Sequence, residues 1–288
     1  MKSFDQKFGR AFISGLPTTP AVYRVYNEAG LLIYVGKAKN LRRRLSQYRN
    51  AKRRKRHHKM RSVVAEGARI EFDLHPSDRE ASLAEARLIQ DLRPKLNVAG
   101  AFYFLYPLIG IALTNGDFEL IYTTEPEKID PKFTKLFSFH GAFRSRFFCG
   151  NAFFALVELL EYIGHKNKTK KLSKYTYLYS FRQLDESWYQ ELDLLLSGVS
   201  SAFFERLVLG LIESKSARKN SGNVQKRLNQ IKTFWKHEAQ LLGRVRLKLG
   251  FKIYPVPQKQ RDLLFLEHRF HETQQIQTEM PSIKHCRS

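Results

Sequence analysis

The sequence predicts an α/β (α+β) protein built in three stretches. Residues 14–100 read as a small domain with a central antiparallel sheet flanked by helices. Residues 101–185 read as a mixed middle region, and 186–288 as a mainly helical, basic region with a loose tail. Three observations carry this assignment. Near the N-terminus, two short runs rich in aromatic and β-branched residues bracket a glycine-containing turn, the pattern of a β-hairpin. Two later segments, opening at Asn40 and Ser77, combine a capping residue with apolar residues at helical spacing. From about residue 186 the apolar spacing is helical almost throughout.

Residues 21–26 and 31–35 are the paired strands, and Asn27-Glu28-Ala29-Gly30 is the turn, with Gly30 free to take positive φ. Asn40 is a natural N-cap, and Leu41, Leu45 and Tyr48 then fall on one helical face. Residues 69–75 alternate, with Ile70, Phe72 and Leu74 on one side, which predicts a half-buried strand. Ser77-Asp78-Arg79-Glu80 is a capping box opening a helix that Pro94 closes. On that helix Ala81, Glu85, Leu88 and Leu92 share a stripe, so Glu85 is turned toward the apolar side. A carboxylate placed there needs a cation or a metal to offset its desolvation. Further on, the sequence predicts a hairpin over 103–123 turning at Asn115-Gly116 and a helix over 151–163. A Lys/Asn/Thr-rich loop over 164–171 follows, then helices over 186–249 broken near 216–223, and a polar, loose tail after Glu272. No internal repeat is visible.

The net charge of +23 and the pI near 10.0 favour polyanionic partners, nucleic acid before an anionic membrane. The most apolar run, 101–113, has 13 residues and contains Pro107 and Gly110. That is short of the roughly 20 that a membrane-spanning helix requires, so no membrane association is expected. No export signal is visible, and Cys149 and Cys286 match neither a disulfide framework nor metal-ligand spacing. A reduced, cytoplasmic protein is the expectation. From 37 to 61 there are 13 Lys/Arg and no Asp or Glu. Lys39, Arg42, Arg43, Arg49, Lys52, Arg53, Arg54, Lys55 and Arg56 are therefore candidates for tracking phosphates. A second basic zone, 215–252, has 11 Lys/Arg against Glu238 alone. Its Phe234, Trp235 and Phe251 suit either base stacking or a helix core.

Ala21-Val22-Tyr23, then Tyr34-Val35-Gly36-Lys37 and the run through Arg44, resemble the paired motifs of the GIY-YIG nucleases, and within them the UvrC-type excision-repair subunit. Ala21 departs from the glycine more usual in that family. The resemblance implies that Tyr34 is the base activating water, that Lys37 stands beside the site, and that Arg44 is the essential arginine. It places Tyr48 one helical turn on, Glu85 as the single metal ligand and Asn97 as the residue closing the site, with Tyr23 in support. One Mg²⁺ or Mn²⁺ is the implied cofactor. Hydrolysis of a phosphodiester suits these groups: a metal acidifies water, arginine matches phosphate geometry, and tyrosine can act as a base beside a cation.

Beyond residue 100 the resemblance thins. Tyr106-Pro107-Leu108-Ile109 and Leu194-Leu195-Leu196-Ser197-Gly198 resemble short stretches of UvrC-type proteins. With only Cys149 in the middle region, no iron–sulfur cluster is expected. The plan resembles the shorter Cho-type excinuclease, without an RNase H-like half. It implies a damaged DNA duplex as substrate, incision on the 3′ side of a lesion, a UvrB-type helicase subunit as partner and a monomer that works at the bacterial nucleoid. A mobile-element GIY-YIG endonuclease and a non-catalytic basic DNA-binding module are the alternatives.

Overall fold

The computed structural model describes residues 2–167 and 170–279. The chain divides into two compact units, Met1–Phe102 with Phe265–Ser288, and Tyr103–Leu264.

In the first unit the elements are α1 (Ser3–Phe8), β1 (Ala21–Tyr26), β2 (Leu32–Ala38), α2 (Leu41–Arg49), α3 (His58–Glu66), β3 (Arg69–Leu74) and α4 (Asp78–Leu92). The three strands form one antiparallel sheet in the order β2-β1-β3. The hairpin turn closes with Gly30 at φ 75°. β2 runs three residues past its expected end, because Gly36, Lys37 and Ala38 pair with Tyr23, Val22 and Ala21. Alternation then divides the side chains between two helical layers. Tyr23, Val25 and Tyr34 pack with Leu41, Leu45 and Tyr48 of α2 and with Val63 and Val64 of α3. On the other face Val22 and Val35 pack with Ala81 and Ile89 of α4. Both predicted caps form: Asn40 Oδ1 accepts from Arg43 N at 2.8 Å, and Ser77 Oγ accepts from Glu80 N at 3.1 Å. α4 ends at Arg93, whose left-handed φ of 45° turns the chain into Pro94.

Two expectations fail here, and two helices are additions to the reading. β3 is not half-buried: it is an edge strand, and Phe72 and Leu74 are exposed. Leu92, placed in the apolar stripe of α4, is 53% exposed, one turn beyond where that helix leaves the sheet. α1 and α3 have no counterpart in the sequence reading, since a six-residue helix and a helix sunk in a charge run leave little periodicity to read.

The second unit holds β4 (Leu108–Thr114), β5 (Asp117–Thr123), α5 (Pro131–Thr134), β6 (Ser138–Gly141), α6 (Arg146–Gly164), β7 (Lys170–Ser173) and β8 (Thr176–Phe181). Its antiparallel sheet has the order β6-β4-β5-β8-β7. The predicted turn is present, with Asn115 at φ 53° and Gly116 at φ 84°, as a two-residue hairpin loop requires. The hairpin starts only at Leu108, because Tyr103–Leu105 is a 3-10 turn. α6 starts five residues earlier than expected, capped by Ser145 Oγ, and Phe153 packs on Tyr122 and Tyr179 of the sheet. By length and composition α6 could cross a membrane, yet half of that window is buried within the protein. β7 begins inside the predicted loop, whose residues 168–169 lie outside the described ones.

The remaining helices are α7 (Glu186–Leu196), α8 (Phe203–Glu213), α9 (Lys215–Lys219), α10 (Ser221–Phe234), a π turn (Trp235–Ala239), α11 (Gln240–Lys248) and α12 (Gln258–Glu279). The break expected over 216–223 shrinks to Asn220, and an unforeseen one separates α7 from α8. α12 stays helical to Glu279, past the expected start of a loose tail; the last nine positions of that tail lie outside the described residues. Glu238, buried in the π turn, accepts hydrogen bonds from Arg144 N (2.8 Å) and Ser145 N (3.1 Å) ahead of α6, with Arg261 at 3.7 Å.

β2 is the other edge of the first sheet, and its outer backbone groups are satisfied without a strand. Leu96 N donates to Ile33 O at 2.9 Å. The Asn97 amide bonds both Val35 N and Val35 O, each at 2.8 Å, in the manner of a neighbouring strand. Glu85 Oε1 accepts from Lys37 N at 3.0 Å. Asn97 is 7% exposed, so Asn97→Ala orphans a buried donor and a buried acceptor. At about 1–3 kcal/mol for each such group, we expect a loss of about 2–6 kcal/mol in urea unfolding. A loss below about 1 kcal/mol would mean that water replaces the amide.

Candidate active site

Four of the residues singled out in the sequence meet on one side of the first sheet, and Glu85 reaches the β2 edge from the helix on the other face. Tyr23 (β1) and Tyr34 (β2) point to the same face, ring centroids 6.1 Å apart, and Tyr48 of α2 meets Tyr23 edge-on at 6.0 Å. The Tyr23 and Tyr48 hydroxyls are hydrogen-bonded at 3.0 Å. Arg44, one turn before Tyr48, donates from Nε to the Tyr23 hydroxyl (3.4 Å) and from a terminal nitrogen to Gln47 Oε1 (3.0 Å). Its guanidinium lies 5.3 Å from the Tyr48 ring centre. Glu85 enters from α4, and it lines a cleft of about 350 Å³ together with Lys37, Lys39, Arg43, Arg44 and Gln47.

Gly36 makes this convergence possible. It stands opposite Tyr23 in the β1–β2 register. A Cβ there would come within 2.5 Å of the Tyr23 hydroxyl and 2.8 Å of the Tyr34 ring. No carbon tolerates such close approaches, so an alanine would displace one tyrosine or both. The glycine is needed for close approach, not for a positive φ.

Electrostatics follow from burial. Desolvation pushes the phenol pKa values of Tyr23, Tyr34 and Tyr48 well above the ordinary tyrosine value. Each is raised further by a neighbouring phenol: Tyr23 by Tyr34, Tyr34 by Tyr48, and Tyr48 by Tyr23. All three are protonated at neutral pH. Burial opposes the Arg44 charge, but the phenol oxygens of Tyr23, Tyr48 and Tyr34 outweigh it and hold the guanidinium protonated. Desolvation also raises the Glu85 carboxyl, and the Lys37 backbone N–H and the Lys37, Arg44 and Lys59 charges only partly offset it. Of the cation or metal expected beside Glu85, no ion-pairing cation is found among the described residues: its hydrogen bond is to backbone, and the charges act from farther away.

Among the described residues no cluster of three His, Cys, Asp or Glu side chains could cage a metal. Glu85 alone, in an open polar cleft, fits a hard divalent ion that keeps most of its water. Asn97 lies on the β2 edge, holding the backbone of Val35.

Besides Gln47, two further residues join the site that sequence reasoning does not single out. Asp78, the first residue of α4, forms an ion pair with Lys37 and lies 3.5 Å from Lys39. In the sequence it shows only as part of a capping box. Lys59 of α3 places its ammonium 5.0 Å from the Tyr34 ring centre, and only its place in the basic run hints at it.

The basic run itself is of mixed use. Arg43 and residues 52–56 (Lys-Arg-Arg-Lys-Arg) are exposed. Lys39 is exposed beside Asp78, and Arg42 donates from Nε to Leu16 O. Arg49 is held by both oxygens of Asp5, at 2.6 and 2.9 Å, and fastens α1 to α2. In the second zone Phe234 is a core residue, and Trp235 packs edge-on against Phe204.

Residues 19–98 match the model of the UvrC-like GIY-YIG domain. The UvrABC system protein C of Cytophaga hutchinsonii is 38% identical over 151 residues, 52% of this chain and 23% of that protein. That of Rhizobium meliloti is 45% identical over 89 residues, 31% of this chain and 13% of that protein. This chain therefore spans less than a quarter of these relatives. A solved structure, the magnesium-bound GIY-YIG N-terminal endonuclease domain of UvrC from Thermotoga maritima, is 35% identical. It aligns with 34% of this chain and 99% of its own, with a TM-score of 0.28.

The raised Glu85 carboxyl gives a stability test. A carboxyl whose folded pKa lies above its unfolded value subtracts from stability once pH exceeds the unfolded value, and contributes nothing below it. In EDTA at pH 7.5, Glu85→Gln should melt roughly 1–4 °C above the parent, the difference shrinking toward zero at pH 4. Millimolar Mg²⁺ should raise the parent's melting temperature and leave the variant's unmoved. Equal Mg²⁺ responses would remove Glu85 from the metal site.

Proposed function

We propose that this chain, whose residues 19–98 are a UvrC-like GIY-YIG domain, is a metal-dependent DNA endonuclease of nucleotide excision repair. The observation that carries the reading is that Arg44, bonded to the Tyr23 hydroxyl within a cluster of three tyrosines, lines one cationic cleft with the desolvated Glu85 carboxyl, Lys37, Lys39 and Arg43. A half-buried carboxyl with no ion-pair partner among the described residues is costly as structure alone and useful as a ligand.

Glu85 would hold one Mg²⁺ or Mn²⁺, which supplies an acidified water and polarises the phosphoryl oxygen. The chain's own residues do the rest. Burial holds the Tyr34 phenol protonated, so Tyr34 must first release its own proton to bulk water, a loss favoured by the nearby Arg44 and Lys59 charges; the resulting phenolate then takes the proton of the attacking water. Arg44 binds the phosphoryl oxygens, with Tyr23, Tyr48 and Gln47 fixing its direction. Lys37, oriented by Asp78, faces the same cleft. Asn97 acts by position, holding the strand that carries Tyr34 and Lys37.

The finer assignment is a single cut on the 3′ side of a lesion, in the Cho-type manner, with a UvrB-type helicase subunit loading the protein onto a damaged duplex. The exposed cations Lys39, Arg43 and 52–56 would follow the DNA backbone.

The chemistry is tested on an end-labelled duplex with one bulky lesion, Mg²⁺ and the UvrA and UvrB loading proteins. One nick 3′ to the lesion is expected, reduced at least about 100-fold in Arg44→Ala and Glu85→Ala. Variants that nick like the parent would sink the mechanism, and a cut at another position would sink the Cho-type assignment.

Duplex binding should weaken steeply with salt. Replacing Arg53, Arg54 and Lys55 by alanine should reduce the log–log slope by about 0.9 for each phosphate that is no longer neutralised. An unchanged slope would place the duplex elsewhere.

A further inference from the structure

In the second unit the first turn of α6 and one face of α10 border a groove of about 570 Å³. Phe147 stands at this groove 71% exposed, and the ring of Phe148 beside it is stacked with His237 at 6.1 Å and 28°. The α10 wall presents Gln225, Lys226, Asn229 and Gln230; Gln225 Nε2 donates to Asn229 Oδ1 at 3.1 Å and Arg227 donates to Gln230 Oε1 at 3.1 Å. Among the described residues no carboxylate lines the groove.

The charge around it decides what it would take. Residues 215–252 carry 11 Lys/Arg against Glu238 alone. That one carboxylate is buried, bonded to Arg144 N and Ser145 N and close to Arg261; Arg227 is paired with Glu158 of α6 at 2.7 Å, and Lys226 is the cation that lines the groove, with no acid of the groove lining opposite it among the described residues. The occupant is therefore anionic. A bare anion would have no use for an exposed aromatic ring or for a row of amides. Unpaired nucleotides use all three: a base face stacks on the ring, base edges exchange hydrogen bonds with amides, and the phosphate meets the cation.

We propose that this groove binds unpaired nucleotides of a single DNA strand, with Phe147 stacking on a base, Gln225 Oε1 and Asn229 Nδ2 (the amide atoms outside their mutual bond) meeting base edges and Lys226 facing a phosphate. Strand binding here stands apart from the endonuclease reading; only the choice of DNA rests on it.

The test is fluorescence anisotropy with the full chain in EDTA, using labelled 12-nucleotide oligo(dT), oligo(rU) and a 12-base-pair duplex. Without metal no cleavage is involved, so failure of the nuclease reading leaves the result interpretable. Phe147→Ala should weaken oligo(dT) binding roughly 5- to 100-fold, Phe147→Trp should retain it, and Lys226→Glu should weaken it about tenfold. Phe147 and Lys226 are exposed, so the melting temperature should stay at the parent's and separate lost binding from lost folding. Phe147→Ala binding oligo(dT) like the parent, or losing the same factor on the duplex, would overturn the proposal. Tighter binding of oligo(rU) than of oligo(dT) would overturn the assignment to DNA, and no binding of any strand would overturn the proposal outright.

Discussion

The outer edge of β2 is the constraint on which the first unit depends. A strand at the rim of a three-stranded sheet leaves its outward N–H and C=O groups without partners, and burying them unpaired is costly. Here the chain returns after α4 to supply Leu96 N and the Asn97 amide to Ile33 and Val35, and α4 supplies the Glu85 carboxylate to Lys37 N. One requirement thus has two results. It completes the sheet, and it fixes a carboxylate at the mouth of a cationic cleft, where a purely structural cap would need no charge.

A similar logic governs the other side of the strand. Gly36 leaves room for the rings of Tyr23 and Tyr34 over the sheet, and α2 returns across that face with Tyr48 and Arg44. Burial keeps the phenols neutral, and the phenol oxygens keep the arginine charged.

The two basic zones use their charge differently. In the first unit Arg49 is tied to Asp5 and Arg42 to a backbone carbonyl, while residues 52–56 remain exposed, so a run that reads as uniform divides into struts and free cations. In the second unit Phe234 and Trp235 of the basic zone are turned to the core or to another ring, and the exposed aromatic beside it, Phe147, comes from a helix more than 60 residues earlier.

Local sequence is enough to specify the hairpin, its turn at Gly30, the caps at Asn40 and Ser77 and the inward stripe bearing Glu85, because each depends on residues within one or two turns of each other. The order and spacing of Tyr34, Arg44, Tyr48 and Glu85 likewise mark out the candidate site's membership. Packing sets what local pattern cannot hold. The exposure of Phe72 and Leu74 follows from β3 being an edge; the pairing of Asp5 with Arg49 spans 44 residues, and Lys59 reaches Tyr34 only once α3 is docked. Partners far apart in the chain leave no periodicity, so only the folded arrangement reveals them.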